Sequence, residues 1–249
     1  MIILKQPEEI EKIRKSSVIV AHVLKELKEK IKPGITTLEL NRYAEELTKK
    51  KGAKPAFKGY RGYPFALCTS VNSQVVHGMP SNHALKKGDV VSLDFGASYE
   101  GYYGDAAITV PVGDVTEEAR LLIQITEQSL YDGILQARVG NRLGDISAAI
   151  QRRIESCGFS VVRDFVGHGI GKDLHEEPQI PNYGVSGRGI LLKSGMVLAI
   201  EPMVNAGIYK VKVLPDGWTV VTEDDRLSAH FEHTVAITNE GPVILSSGS

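Results

Sequence analysis

Cysteine is scarce in this 249-residue chain, which contains only Cys68 and Cys157. The two residues are far apart and form no CxxC pair. A disulfide framework needs several paired cysteines, and a zinc ribbon needs paired CxxC motifs, so we expect neither kind of fold. A reducing compartment is the default for such a chain, and we therefore expect a cytoplasmic location.

Long hydrophobic runs are also missing, and so is an excess of charge of either sign. No stretch approaches the roughly 18 consecutive apolar residues that a transmembrane helix needs. The opening sequence MIILK lacks the basic segment and apolar core of a secretory signal. The formal net charge is −1. We therefore expect neither a membrane protein nor a protein that binds nucleic acid specifically.

What is present is the composition of an ordinary globular protein, with 42% hydrophobic and 24% charged residues. The first half reads as two helices followed by strands. Apolar residues recur at helical spacing from Ile10 to Ile31, and Pro33-Gly34 ends this pattern. A second helical pattern ends near Gly52, and strand-like segments follow, including the run 90–94.

The second half repeats this order of elements. Thr116 is predicted to cap a helix that leads to Gly140, and a further helix is predicted from Asp145 to Gly158. Gly140 and Gly158 are 18 residues apart, as are the glycines at 34 and 52, and the offset between the two pairs is 106.

A second pair of spacings gives nearly the same offset. Gly88 precedes Asp94 by six residues, and Gly195 precedes Glu201 by six, at an offset of 107. In each case a glycine turn leads into an apolar strand that ends in a carboxylate. We predict one domain over 1–249, built from duplicated helix-helix-strand units with halves at about 1–112 and 113–249 packed into one sheet. Glycines that merely end elements of similar length are the alternative explanation.

Asp94 and Asp105 flank a predicted β-hairpin that turns near Tyr99-Glu100. Pairing about that turn places Asp94 opposite Asp105, with their Cβ atoms roughly 4.5–5.5 Å apart. Carboxylates that close repel each other unless protons or cations lie between them. A pair of divalent ions about 3.5–4 Å apart fits this geometry. Two solvated aspartates beside a turn are the alternative.

Two glutamates lie at the ends of apolar strands. Glu201 follows the run 196–200, and Glu232 begins a segment that leads into another apolar run. An unpaired charge in such a place is costly, so these carboxylates are expected to pair or to bind metal. His168 lies between two glycines that leave its imidazole accessible, although a lone histidine is more often a packed or surface residue. Together, four carboxylates and one histidine suit manganese, iron, cobalt or zinc.

This set of residues resembles the metal ligands of type I methionine aminopeptidases. The resemblance rests on the order Asp94, Asp105, His168, Glu201 and Glu232, with a spacing of 11 positions from one aspartate to the other and of 31 positions from one glutamate to the other. Further matching stretches are 72–80, 167–171, 200–202 and 232–234. The resemblance covers nearly the whole chain. It implies the pita-bread fold, an α+β architecture in which pseudo-two-fold related units surround a curved antiparallel sheet.

The resemblance also implies a role for each ligand. Asp94 would chelate one of two divalent ions, and His168 and Glu201 would hold the other. Asp105 and Glu232 would bridge the two ions, which could be cobalt, manganese, iron or zinc.

Three catalytic roles are implied in the same way. Glu201 would act as general base, His175 would donate a hydrogen bond to the carbonyl as it becomes an oxyanion, and His77 would position the amide nitrogen. The implied reaction removes the initiator methionine from nascent proteins when the second residue is small and uncharged. Its partners would be the N-termini of peptides or nascent chains.

The methionine pocket is the last feature that the resemblance implies. Its residues here would be Phe57, Tyr60, Tyr63, Cys68, His77, Leu174 and Trp218, with His175 also contacting substrate. Phe57 stands where cysteine is usual, and Leu174 where phenylalanine is usual, which looks like a compensating exchange of volume. Ordinary core packing is the alternative role of these aromatic residues.

Other functions remain open from the sequence. One alternative is a proline-specific peptidase of the same fold. Such enzymes usually carry an additional N-terminal domain, and we expect none here because Asp94 lies too near the start of the sequence for such a domain to precede it. A catalytically silent, peptide-binding pita-bread domain would tend to lose ligands, and all five are present. Only 30 residues separate Glu201 from Glu232, which leaves no room for the helical insertion of type II enzymes.

A basic cluster lies at the end of the second predicted helix and just beyond it. It comprises Lys49, Lys50, Lys51, Lys54, Lys58 and Arg61. We expect a solvated helix end, with transient ribosome contact as the alternative, and we expect a monomer.

Overall fold

The computed structural model describes residues 2–247. Its helices are α1 (Pro7–Lys30), α2 (Thr37–Lys50), α3 (Glu117–Gln136) and α4 (Leu143–Glu155), with a short 3₁₀ helix at Tyr60–Gly62. Its strands are β1 (Lys54–Pro55), β2 (Cys68–Val71), β3 (Gln74–Val76), β4 (Val90–Tyr99), β5 (Tyr102–Pro111), β6 (Ser160–Val161), β7 (Gly167–Gly169), β8 (Glu176–Ile180), β9 (Val197–Ile200), β10 (Met203–Asn205), β11 (Val211–Val213), β12 (Val220–Thr222), β13 (Ser228–His230), β14 (Glu232–Thr238) and β15 (Gly241–Ile244).

Capping residues set where the helices begin. The Thr116 hydroxyl accepts a hydrogen bond from Ala119 N at 3.2 Å, so the predicted N-cap of α3 is confirmed. The prediction for α4 was wrong at both ends, because this helix begins at Leu143 and ends at Glu155. Asp145 lies within its first turn, where its carboxylate accepts a hydrogen bond from Arg142 N at 2.7 Å.

Nine strands form one antiparallel sheet. The order along the sheet is β1-β4-β5-β14-β9-β7-β8, with β2 also paired to β4 and β15 paired to β14. Two three-stranded sheets, β13-β10-β6 and β11-β12-β3, complete the strand pairing of the described residues. The curved sheet joins the two halves of the chain, because β5 pairs with β14.

The four helices cover one face of this sheet. Buried residues of α1 and α2, such as Leu24 and Leu40, form one apolar cluster with Leu93 and Phe95 of β4. Residues of α3 and α4 form a second cluster with apolar side chains of β9 and β14. The opposite face of the sheet is left for the side chains that alternate with these core residues. None of the helices in residues 2–247 combines the length and the apolar character of a membrane-spanning segment.

The predicted duplication is confirmed by equivalent elements in the two halves. Helix α2 begins at Thr37 and α4 at Leu143, 106 residues later, while β4 begins at 90 and β9 at 197. Gly34 and Gly140 have nearly the same φ, +94° and +92°. The isolated β-bridges repeat as well, joining Thr36 to Ala84 and Arg142 to Leu191. Duplicated units around a curved antiparallel sheet are the fold that the sequence predicted.

Candidate active site

The β4–β5 hairpin has a different register from the predicted one. Asp94 lies opposite Ala107, and Asp105 lies opposite Gly96, so the prediction that the two aspartates face each other directly was wrong. The chain turns at Glu100-Gly101, where φ is 51° and 81°. Two central residues with positive φ are typical of the two-residue hairpin turn that matches strand twist, and Gly101 adopts this conformation at no steric cost.

The two aspartates nevertheless share a face of the sheet. A change of register by two residues preserves the side on which each side chain lies, since side chains alternate with a period of two. Asp94 and Asp105 are therefore diagonal neighbours. Ala107, opposite Asp94, is also opposite Glu232 of β14, which places Glu232 on the same face.

The remaining candidates come from the adjacent strands. His168 of β7 lies opposite Ala199 of β9, and Ala199 lies opposite Thr234 of β14. Thr234 is bonded to the backbone of Asp105, accepting from its N–H at 3.0 Å and donating to its carbonyl at 2.7 Å. Glu201 directly follows β9, and continuing the β9–β14 register by one residue places it opposite Glu232. All five predicted metal ligands thus lie on the face of the sheet away from the helices.

Three of the five offer ligand atoms to a common point. One ligand atom from each of Asp105, His168 and Glu232 lies within 4.8 Å of the others. His168 Nε2 is also 3.6 Å from Glu201 Oε1. Its Nδ1 lies 2.9 Å from the Gly169 carbonyl oxygen, which accepts a hydrogen bond when the proton is on Nδ1. That tautomer leaves Nε2 free to bind a metal ion.

The electrostatics of the cluster favour a bound cation. Burial and the neighbouring carboxylates raise the pKa of Asp105 and Glu232 well above the usual range. Burial also raises the pKa of Asp94 and that of Glu201 to about 7. Within residues 2–247, Asp94 Oδ1, Asp105 Oδ1 and Glu232 Oε1 are buried without a hydrogen-bond partner. Unpaired buried carboxylate oxygens next to an imidazole nitrogen are a donor set that fits divalent ions.

A cavity opens beside this cluster. Its lining includes all five candidate ligands and the residues predicted for substrate, namely Phe57, Tyr60, Tyr63, Cys68, His77, Leu174, His175 and Trp218. The exchanged pair, Phe57 and Leu174, belongs to the same buried apolar cluster. Cys68 lies directly opposite Asp94 across the β2–β4 pair, and it is a free thiol.

Aromatic contacts fix the shape of the cavity. The Tyr63 and Trp218 rings meet edge to face with centroids 5.1 Å apart, and the His77 ring lies 6.3 Å from that of Trp218. Tyr60 stacks on His175 at 5.2 Å, and its hydroxyl lies 2.9 Å from His175 Nδ1. The His175 ring is 4.2 Å from the ring of His168. His175 therefore projects between the cavity and the ligand cluster.

Both histidines of the predicted catalytic set are neutral at pH 7. Burial lowers the pKa of His77 to about 4. Burial and the charges of His168 and Arg61 lower the pKa of His175 to about 3. A neutral imidazole can donate one hydrogen bond without carrying a charge into the site.

Two residues of the site were not predicted. His230 is 1% exposed, its Nε2 lies 3.6 Å from Glu201 Oε2, and neither ring nitrogen has a hydrogen-bond partner within the described chain. Its position two residues before Glu232 was a usable signal, since strand alternation places such residues on one face. Arg61 lines the cavity with its guanidinium 5.3 Å from the centre of the Tyr60 ring. Nothing in the sequence distinguished Arg61 from the neighbouring basic residues.

The chain is similar in sequence and structure to known peptidases. A sequence model of metallopeptidase family M24 matches residues 11–239. The methionine aminopeptidase of Clostridium perfringens (strain 13 / Type A) is 58% identical over 246 residues, covering 99% of each chain. Methionine aminopeptidase 1 of Bacillus subtilis (strain 168) is 54% identical over 246 residues, again covering 99% of each.

A solved structure gives the same result. The crystal structure of methionine aminopeptidase from Thermotoga maritima has a TM-score of 0.98 and 50% sequence identity, covering 99% of this chain and 100% of that one. The similarity includes the strands that carry the five candidate ligands. The chain therefore belongs to metallopeptidase family M24.

Proposed function

We propose that this chain is a methionine aminopeptidase that uses two divalent metal ions. It would remove the N-terminal methionine from peptides and nascent proteins when the second residue is small and uncharged. One observation carries the proposal: four carboxylates, of which Asp105 and Glu232 are fully buried, and the buried His168 share one face of the sheet, beside a cavity lined by apolar and aromatic side chains. The names of the similar proteins support the same assignment.

The ligands divide into terminal and bridging groups. Asp94 would hold one ion, His168 and Glu201 the other, and Asp105 and Glu232 would lie between them. The raised pKa values of Asp105 and Glu232 support the bridging role, because a second cation lowers the cost of two adjacent buried carboxylates. Divalent ions held there, whether cobalt, manganese, iron or zinc, supply a nucleophile from water at neutral pH and polarise the scissile carbonyl.

Glu201 is the proposed general base. Glu201 directly follows β9, and its side chain is 13% exposed. This side chain borders both the other candidate metal ligands and the cavity. Burial raises the pKa of this carboxyl to about 7, which suits a group that takes up and returns a proton near neutral pH. The proton would pass from the attacking water to the leaving amine.

His175 and His77 are the proposed hydrogen-bond donors to the substrate. When the Tyr60 hydroxyl donates to His175 Nδ1, the single proton of the neutral ring lies on Nε2. This N–H would donate to the carbonyl oxygen as negative charge develops on it. His77, held edge-on by Phe165 at 5.7 Å, would orient the amide nitrogen.

The apolar end of the cavity is the proposed methionine pocket. Tyr63, Cys68 and Leu174 are almost fully buried there, and Trp218 closes one side. An unbranched thioether adapts well to such an irregular apolar space and interacts favourably with aromatic rings. Tyr60 would lie at the boundary between this pocket and the catalytic groups.

The same proposal includes the setting of the enzyme. It would act as a monomer in the cytoplasm on chains that leave the ribosome. Lys49, Lys50 and Lys51 are exposed at the end of α2, and a transient ribosome contact would use this surface.

Metal removal tests the proposal. Exhaustive chelation is expected to abolish hydrolysis of Met-Ala-Ser, and cobalt, manganese or iron is expected to restore it, because the five candidate metal ligands line the cavity. Cys68 also lines it, but burial raises the pKa of its thiol well above the usual range, which disfavours the nucleophilic thiolate. The measurement is the release of methionine from apoprotein before and after addition of each metal. Full turnover by the apoprotein would contradict metal dependence.

A further inference from the structure

A buried ion pair lies next to the site without belonging to it. Lys5 Nζ bonds to Glu176 Oε2, and the two side chains are only 3% and 7% exposed. Neither residue lines the cavity. Burying two opposite charges rarely adds stability over an apolar pair of the same volume, so a positional role is the better explanation of this contact.

Glu176 organises the loop that carries His175. This loop joins β7 to β8, since Gly169 lies opposite Glu176. The second oxygen of the same carboxylate, Oε1, accepts hydrogen bonds from the backbone N–H groups of Lys172 at 2.9 Å and Asp173 at 3.3 Å. One carboxylate therefore holds the backbone immediately before Leu174 and His175.

Lys5 anchors that carboxylate to the rest of the molecule. The Lys5 N–H donates to the Gly195 carbonyl at 2.7 Å, in the turn that precedes β9. The Lys5 side chain then passes beneath Gly171, where an added Cβ would overlap both Lys5 and Glu176. The pair thus fills the space under the loop and connects it to the turn that leads into the Glu201 strand.

We propose that Lys5 and Glu176 are a positioning pair that holds His175 at the distance its hydrogen bond to the substrate carbonyl requires. The proposal rests on the proposed function, in which His175 is the donor. A donor to a developing oxyanion acts over a few tenths of an ångström, so the support of its loop affects kcat. Neither side chain of the pair lines the cavity that holds the candidate metal ligands, so its loss should lower kcat while leaving metal content nearly unchanged.

The test is a mutant cycle with His175→Ala, using Met-Ala-Ser and the metal-loaded enzyme. Lys5→Met is expected to lower kcat about 10- to 100-fold, the range in which small misplacements of catalytic groups act. The double variant Lys5→Met/Glu176→Gln leaves no unpaired buried charge and keeps the acceptor for the loop N–H groups. It is expected to fold if the single variant does not, and to show the same loss. Lys5→Arg should restore most of the activity.

Lys172→Met is the matched control. Lys172 lies in the same loop and pairs with Glu9 at 3.5 Å, but its side chain is 68% exposed. Such an exposed pair contributes little, so this variant is expected to retain kcat within about twofold.

The His175→Ala background separates positioning from general damage. If the pair acts through His175, its removal changes kcat less than about twofold once the imidazole is gone. An equal loss in both backgrounds, or full kcat in the double variant, would overturn the proposal. An unchanged NMR signal of the His175 imidazole in the double variant would also overturn it. An inactive wild-type enzyme would instead contradict the proposed function itself.

Discussion

A metal ligand must be free of its proton, whereas a general base must be able to take one up. The two roles proposed for Glu201 place both demands on this carboxyl group. Its pKa is raised to about 7 by burial in a cluster of carboxylates, with His168 and His230 each 3.6 Å away. Each carboxylate oxygen therefore has a different histidine as its neighbour. An amide in place of the carboxylate would keep the shape of the side chain but could not accept a proton.

Glu201→Gln is accordingly expected to lower kcat by about 10²–10⁴, the usual contribution of a general base, with a much smaller change in KM. Metal content must be measured on the same sample, because the substitution also alters a ligand. Glu223→Gln, at an exposed glutamate, serves as the control and should leave kcat unchanged. A metal-loaded Gln variant with normal turnover would remove Glu201 from the role of base.

The raised carboxylate pKa values also predict how metal binding depends on pH. Below pH 7 Asp94 and Glu201 hold protons, and the raised pKa values of Asp105 and Glu232 also favour their protonated forms, so a divalent ion must displace these protons. Metal affinity should therefore fall as the pH decreases from about 8 to 6, where carboxylates of ordinary pKa near 4 are already ionised.

Calorimetric titration with manganese in buffers of different ionisation heat counts the protons released. We expect more than one proton per protein molecule at pH 7, and fewer at higher pH. His77 and His175 are neutral throughout this range and contribute none. Release of one proton or fewer at pH 7 would mean that the carboxylates are ionised before metal binds.

Among elements, the β4–β5 hairpin shows where sequence reasoning succeeds and fails. The presence of the four helices, the apolar strands at 90–94 and 196–200 and the duplicated glycines were predictable, because periodicity and turn residues are local signals. The register was not, because it depends on which two residues occupy the turn, and the predicted turn at Tyr99-Glu100 lies one residue before the observed turn at Glu100-Gly101. The prediction that Asp94 and Asp105 belong to one site was unaffected by this error. Side chains alternate between the two faces of a sheet, so a register error of two residues keeps both aspartates on the same face. Arg61 could not be predicted because its place in the cavity depends on packing between distant segments, whereas His230 could have been found from its spacing of two residues from Glu232.

The stability of variants at Glu100 and Gly101 tests the assigned turn. Gly101→Ala places a Cβ at φ 81° and should lower the free energy of unfolding by about 1–2 kcal/mol, the cost of a left-handed residue. Glu100→Asn, at φ 51°, should be neutral or slightly stabilising, because asparagine tolerates that conformation. Chemical denaturation of both variants measures the difference. Equal stabilities would contradict the assigned turn.

At the scale of the whole molecule, the duplication explains why the site lies at its centre. Asp94 and Glu201 lie at equivalent positions 107 residues apart, although Asp94 lies inside β4, which continues to Tyr99, and does not end the strand as predicted, whereas Glu201 directly follows β9. The pairing of β5 with β14 brings the two halves into one sheet. Asp94 and Asp105 come from the first half, and His168, Glu201 and Glu232 from the second. No half holds the full set, so we propose that residues 1–112 and 113–249 form a single domain.

Substrate choice is the property that requires the whole arrangement. One methylene in an apolar pocket is worth only about 1–3 kcal/mol, so methionine should be preferred to leucine in a graded manner. The second residue must fit beside His77 and the ligand cluster, so a bulky side chain there should be excluded more steeply.

The most direct measurement is kcat/KM for metal-loaded enzyme with peptides that vary at each of the first two positions. Met-Ala and Met-Gly peptides are expected to be the best substrates, with Met-Lys and Met-Phe peptides hardly cleaved. If peptides with proline at the second position and any first residue were cleaved best, the methionine assignment would be wrong and a proline-specific peptidase of the same fold would take its place.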